Sequence, residues 1–217
     1  MNYSQRFFGH LGMIFKHKFW VFYFACKAGI PFRGLVHDLS KFSPTEFFES
    51  VKYYTGTKSP IVSCKADKGY SLAWQHHKGR NPHHYEYWLD NFDKGGTPLI
   101  IPFKYCLEMT CDWLAAGKAY QGRKFNYEDE YKWWWKKRDE VKLSMHPKII
   151  KFFDLVFYSL KIGGGSMLKK HIIKLYYDIA TSDSETMDNS EYDWGHNVEH
   201  DRDDNYISIS MLGSSDE

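Results

Sequence analysis

The sequence contains no long hydrophobic run. Its longest apolar stretch, Phe19 to Cys26, follows Lys16, His17 and Lys18 and falls far short of the roughly 18 residues a membrane span needs. Arg6, His10 and Lys16 interrupt the apolar residues near the N-terminus, and no small-residue cleavage site follows, so no secretory signal is expected. Cysteine is scarce. Cys26, Cys64, Cys106 and Cys111 show no CxxC spacing and are read as reduced thiols of a cytoplasmic protein, of a cell or a virus-infected host. A secreted disulfide scaffold and a CxxC zinc finger are thereby disfavoured. There is no convincing strand ladder and no internal repeat.

What is present is a chain of 217 residues, enough for one domain, with 43% hydrophobic residues to build its core. Aromatics reach 18%, a share that fills core volume and can wall a pocket. The net charge of +2 conceals an asymmetry: from Thr181 to Glu217 there are eleven acids and one base, against 28 bases and 16 acids before it. The division expected is therefore a helical domain over residues 1–180 and an acidic tail over 181–217, too polar to bury much surface and read as disordered. A basic body suits anionic ligands such as phosphate esters or nucleic acid, although a lysine-rich solvated surface has the same composition.

The body reads as all-α. Helices are expected over Asn2 to Lys27, with Phe8, Leu11, Phe15, Phe19, Phe22 and Cys26 at helical spacing, then Gly34 to Lys41, and from Ser43 onward, where Ser43, Pro44 and Glu46 make a capping box. Gly56 to Gly69 reads as loop. Further helices are expected over Ser71 to Lys78, His83 to Asn91 as helix or helical turn, Pro102 to Tyr120, Tyr127 to Val141, Pro147 to Leu160 and Met167 to Ala180, with a hinge at Gly163 to Ser166.

The informative feature is the placing of histidine: His17 on the first helix, His37-Asp38 twenty residues on, and His76-His77 and His83-His84 flanking a turn, followed by Asp112. Neutral imidazoles and carboxylates suit divalent zinc, manganese, iron or nickel. One ligand from each of several helices builds such a site inside a bundle.

The order His … His-Asp … His … His … Asp, with His37-Asp38-Leu39-Ser40-Lys41, resembles the HD superfamily of metal-dependent phosphohydrolases. The two extra histidine groups look like its dinuclear branch, which includes cyclic-dinucleotide phosphodiesterases and mixed-valent diiron oxygenases. No Gly-Tyr-Pro block follows the paired histidines, which sets the chain apart from those phosphodiesterases. The blocks HDLSKFSPTEF, AWQHHKGRNPHHYEYW and EMTCDWLAAGKAY also resemble an uncharacterised bacterial and viral domain family, over about Phe15 to Trp135 and in places to His146-Pro147. The resemblance implies an HD-like helical bundle holding one or two divalent transition metals (zinc, manganese or iron).

The expected metal ligands are His17, His37, Asp38, His77, His84 and Asp112. His10, one heptad before His17, is the competitor for the first position. Adjacent helical residues point about 100° apart, so one member of each pair is expected to ligate and the other, His76 or His83, to serve as a catalytic acid; a swap within either pair stays open. Asp38 would bridge two ions and orient a water. Lys41 would stabilise phosphoryl charge, or simply pair with Asp38 or Glu46. Glu108, one turn before Asp112, is a candidate acceptor for a ligating imidazole or an ordinary ion-pair partner. Lys78 and Arg80 could hold a second phosphate. Trp74, Tyr85, Tyr87, Trp88 and Trp113 are stacking candidates whose ordinary role is core packing. Of Trp133, Trp134 and Trp135, at least one must be core, which leaves only a weak nucleic-acid patch. The reading is a phosphohydrolase acting on a small phosphorylated substrate, a nucleotide among them, with no membrane partner. Its alternatives are a diiron oxygenase and a non-catalytic metal-binding interaction protein.

Overall fold

Six of the nine α-helices among the described residues begin where a side chain accepts from their first amides. In this computed structural model, which describes residues 1–182, Asn2 and Gln5 form a reciprocal capping box at the start of α1 (Tyr3–Lys27). Proline at the first position fixes the start of α2 (Pro31–Val36). Ser43, Ser59 and Ser71 cap α3 (Pro44–Tyr53), α4 (Pro60–Lys68) and α5 (Leu72–Arg80). After α6 (Phe103–Gln121), Asn126 caps α7 (Tyr127–Glu140); α8 (Pro147–Gly163) and α9 (Lys170–Thr181) complete the nine α-helices among the described residues. The sheet among them is a pair of two-residue antiparallel strands, Leu89–Asp90 and Thr97–Pro98. The all-α expectation holds. The acidic tail, beyond Ser182, lies outside the described residues.

The axis of the fold is α6, buried along almost its whole length from Cys106 to Ala119. On one side α7 and α8 close over it through the rings of Trp113, Trp134, Phe153 and Phe157, with centroids 4.7–6.4 Å apart. Such aromatic contacts add to the gain from burying large apolar surface. Trp134, fully buried, is the core member of the tryptophan triplet. On the other side α1 packs on α6, and α2 packs on α1 at Gly34, whose position leaves no room for a side chain beside Ala25 and Phe22.

Four local expectations are corrected. Gly56 to Gly69 is not all loop: Ser59 and Pro60 start α4, which Gly69 ends at φ +77°. The second helix does not run from Gly34 to Lys41. It ends at Val36, His37 is extended and Asp38 is left-handed (φ 53°), before a 3-10 turn over Leu39–Phe42. His83 to Asn91 is a turn, a short 3-10 segment (Tyr85–Trp88) and the first strand. The Ser43 capping box is half made, because the Glu46 side chain turns inward instead of back to the cap.

The largest departure concerns α1. Phe8, Phe15, Phe19, Phe22 and Cys26 do share one face, but it faces solvent. The buried face carries His10, Ile14, His17, Val21, Phe24 and Ala25. The polar histidines are inside because other polar groups await them there.

Candidate metal centre

His37 and Asp38 owe their direction to the break between α2 and the 3-10 turn. Lys18 Nζ donates to the carbonyls of Leu35 (3.2 Å) and His37 (2.6 Å), tying down the end of α2. Aspartate is among the few residues that tolerate the left-handed region, and a non-glycine residue held there marks a site where position outweighs strain. The result is a carboxylate, 2% exposed, whose two oxygens face different groups. Asp38 Oδ1 lies 3.2 Å from His83 Nε2 and 3.4 Å from His77 Nε2; Oδ2 lies 3.2 Å from His37 Nε2 and 2.7 Å from Lys41 Nζ.

On the Oδ2 side, α6 supplies Asp112, whose Oδ1 is 3.0 Å from His17 Nε2 and 3.3 Å from His37 Nε2. On the Oδ1 side, α5 supplies His77 and the following turn supplies His83 and His84, with ring centroids 4.4–6.4 Å apart. Two buried sets of four converging donors result: His17, His37, Asp38 and Asp112; and Asp38, His77, His83 and His84. Asp38 belongs to both.

Several donors lack hydrogen bonds. Both ring nitrogens of His17 and His84, Nε2 of His37 and His83, and both Asp38 oxygens are buried without a well-directed partner, although several lie close to one another. Unpaired buried polar atoms are costly, so a concentration of them needs an occupant. An ion about 2.1 Å from its donors sets neighbouring donors roughly 3.0–3.4 Å apart, the range of the close approaches here. The residues of either set could hold a metal ion.

A second layer orients the imidazoles. Glu108 Oε1 lies 3.1 Å from His37 Nδ1 and 3.4 Å from His83 Nδ1, while Arg33 Nε donates to Glu108 Oε2 at 2.8 Å. Glu46 Oε2 accepts from His77 Nδ1 at 2.7 Å and Oε1 from His76 Nδ1 at 2.6 Å. A carboxylate on Nδ1 leaves Nε2 free to face a metal and raises its basicity.

Charge points the same way. Burial opposes ionisation of Asp38, Asp112, Glu108 and Glu46, yet the neighbouring imidazoles, with Lys41 at Asp38, hold all four carboxyls below the ordinary range. Lys41 and Arg33 are the lysine and arginine paired with them, so neutral imidazoles would leave two negative charges uncompensated. His37 and His83 are raised despite burial, because Asp38 and Glu108, joined at His37 by Asp112, favour their protonated forms. His17 and His84 are lowered, chiefly by burial, and stay neutral. A partly open cavity of about 80 Å³ adjoins the centre, walled by Met13, Ile14, Trp74 and Trp113 and reached by Lys41, Glu46, His77, His84 and Asp112.

All six expected ligands thus meet. His76 and His77 sit on α5 and share the Glu46 carboxylate through their Nδ1 atoms, but only His77 reaches the converging donors; His76 lies outside both sets, between Glu46 and Arg80 Nε (2.9 Å). His83 and His84 do not diverge, because the chain there is a turn, and His83 joins His84 among the converging donors. His10 lies buried between Phe47 and Tyr54 at the cavity wall, away from both sets; burial and Lys41 lower its pKa to about 4. Trp74 packs edge-on to His84, and Trp113 belongs to the core. Glu46 is the residue that sequence reasoning missed in this role: its helix-cap position accounted for it, and nothing local shows that its carboxylate turns inward.

A family model described as "Family of unknown function (DUF5662)" matches residues 6–157, which include every residue of the centre. No curated protein and no solved structure matches the chain.

Proposed function

Given that the chain belongs to the DUF5662 family, whose function is unknown, we propose from the site itself that it is a metal-dependent phosphohydrolase using two divalent ions on a small phosphate ester. The observation that carries the reading is the sharing of Asp38 between two buried four-donor sets, one oxygen toward each. A pair of ions held there supplies Lewis acidity and a water acidic enough to attack near neutral pH. His17, His37 and Asp112 would hold one ion, and His77, His83 and His84 the other. Glu108 and Glu46 keep the Nδ1 protons of His37, His83 and His77, so Nε2 faces the centre. Lys41 Nζ, beside Asp38 and at the cavity wall, offers its charge to a phosphoryl oxygen. Met13, Ile14, Trp74 and Trp113 exclude bulk water, which strengthens that interaction. His83 serves as a ligand in this reading. His76 acts through Glu46, which reaches the cavity while His76 stays partly exposed. The cavity beside the donors is partly open, so a phosphate ester could place its phosphoryl group there and extend outward.

The mainly apolar wall favours a second reading with the same ligands, an iron pair that activates oxygen. The test is elemental analysis of the full chain after purification without added metal, followed by assays on p-nitrophenyl phosphate and nucleoside monophosphates. Two ions per chain and phosphate release support hydrolysis, and Asp38→Ala should lose both ions and lower kcat/KM at least about 100-fold. A chain that takes up no divalent metal overturns the reading. A loaded chain inert on every ester also defeats it: a mixed-valent iron signal then points to the oxygenase, and its absence to a metal-binding interaction protein.

A further inference from the structure

The solvent-facing aromatic stripe of α1 has no role in the metal centre. Phe15, Phe19 and Phe22 lie on it, and Phe15 meets Phe42 of the 3-10 turn with ring centroids 5.8 Å apart. Gly34 seats α2 beside Phe22 of α1, and Phe32 and Leu35 of α2 are exposed as well. All six are exposed, Phe32 by 73% and Phe19 by 61%. Isolated exposed apolar residues are ordinary, but a row of exposed aromatics along one helix face, with more on the helix packed beside it, is the pattern of a contact surface.

Charge selects the occupant. From Met1 to His37 the chain carries five lysines and arginines and no aspartate or glutamate. At 100° per residue, Lys16 and Lys27 flank one side of the stripe and Lys18 the other. Lys16 and Lys27 are exposed. Lys18 and Arg33 are drawn inward, to the carbonyls at the end of α2 and to Glu108. A second copy meeting this face would oppose cations with cations. An anionic bilayer complements it: aromatic and aliphatic side chains enter the headgroup boundary, while lysines at the flanks extend to lipid phosphates. We propose that the outer face of α1 and α2 is a docking surface for anionic membranes, lying flat on the bilayer without crossing it. No described helix is long and apolar enough to cross one.

The inference does not depend on what the metal centre does. It is tested by floating the full chain with phosphatidylcholine vesicles, with and without phosphatidylglycerol. Binding is expected only to the anionic vesicles, and added salt should weaken it. Phe19→Glu/Phe32→Glu should lower the bound fraction about tenfold with the helical circular dichroism unchanged, since both side chains are exposed. Failure to bind anionic vesicles, equal binding to neutral ones, or full binding by the folded double variant would overturn it. So would a dimer, seen by light scattering, that the double variant separates.

Discussion

At the scale of single residues, Asp38 holds the centre together. Its left-handed backbone brings one carboxylate between two sets of imidazoles, and a β-branched residue could not hold that conformation cheaply. Glu108 is the next most informative position, since its one carboxylate serves His37, His83 and Arg33. Glu108→Gln keeps the shape and removes the charge. Metal affinity, measured by competition with a chromophoric chelator, should fall about 10–100-fold while stoichiometry is retained. Unchanged affinity would reduce Glu108 to an ordinary partner of Arg33. His37-Asp38 and Asp112 were legible as members of a converging donor set because residue type and order suffice to nominate them. The joint use of His83 and His84 was not, because whether two neighbours converge depends on backbone angles that a motif does not state.

At the scale of elements, the centre depends on how α2 sits on α1. A β-carbon on Gly34 would come within 2.5 Å of Ala25 Cβ and 3.1 Å of Phe22 Cα, and the second of these is backbone that cannot swing aside. Gly34→Ala should therefore push α2 outward and carry His37 and Asp38 with it. The expected cost is about 1–3 kcal/mol in denaturant unfolding of the metal-free protein, with weaker metal binding. Wild-type stability in that variant would show that the crossing is slack. The long helices were legible from their caps, prolines and periodicity. The orientation of α1 was not. Its strongest apolar period marks the outer face, because a helix that delivers His10 and His17 to a polar interior has its bulky aromatics left for the other side.

At the scale of the whole molecule, buried charge should make stability depend on pH through a group outside both donor sets. Glu130 of α7 is 2% exposed beside Gly117 of α6, and burial raises its pKa to about 8, against a hydrogen bond from Gln121. The unfolded chain releases this proton in the ordinary glutamate range, whereas the folded chain keeps it to about pH 8. The stability contributed is therefore full below the ordinary glutamate pKa and is lost as pH rises through about 8. Glu130→Gln should flatten that decline and be more stable than wild type at pH 8, by an amount on the order of 2 kcal/mol, in urea unfolding across pH. Parallel curves for the two proteins would show that Glu130 is ionised when folded.

The sequence by itself determined the helical class, most helix starts and the six donors first nominated. These follow from local chemistry: caps and prolines act within a turn, and imidazole and carboxylate coordinate whatever surrounds them. Tertiary structure alone decided that His83 joins His84 among the converging donors, that Glu46 turns inward to His76 and His77, that Glu108 serves two imidazoles as well as Arg33, and that the aromatic stripe of α1 faces out. Each of these depends on which groups from distant stretches of chain arrive at the same place, and burial and electrostatic balance are properties of that meeting.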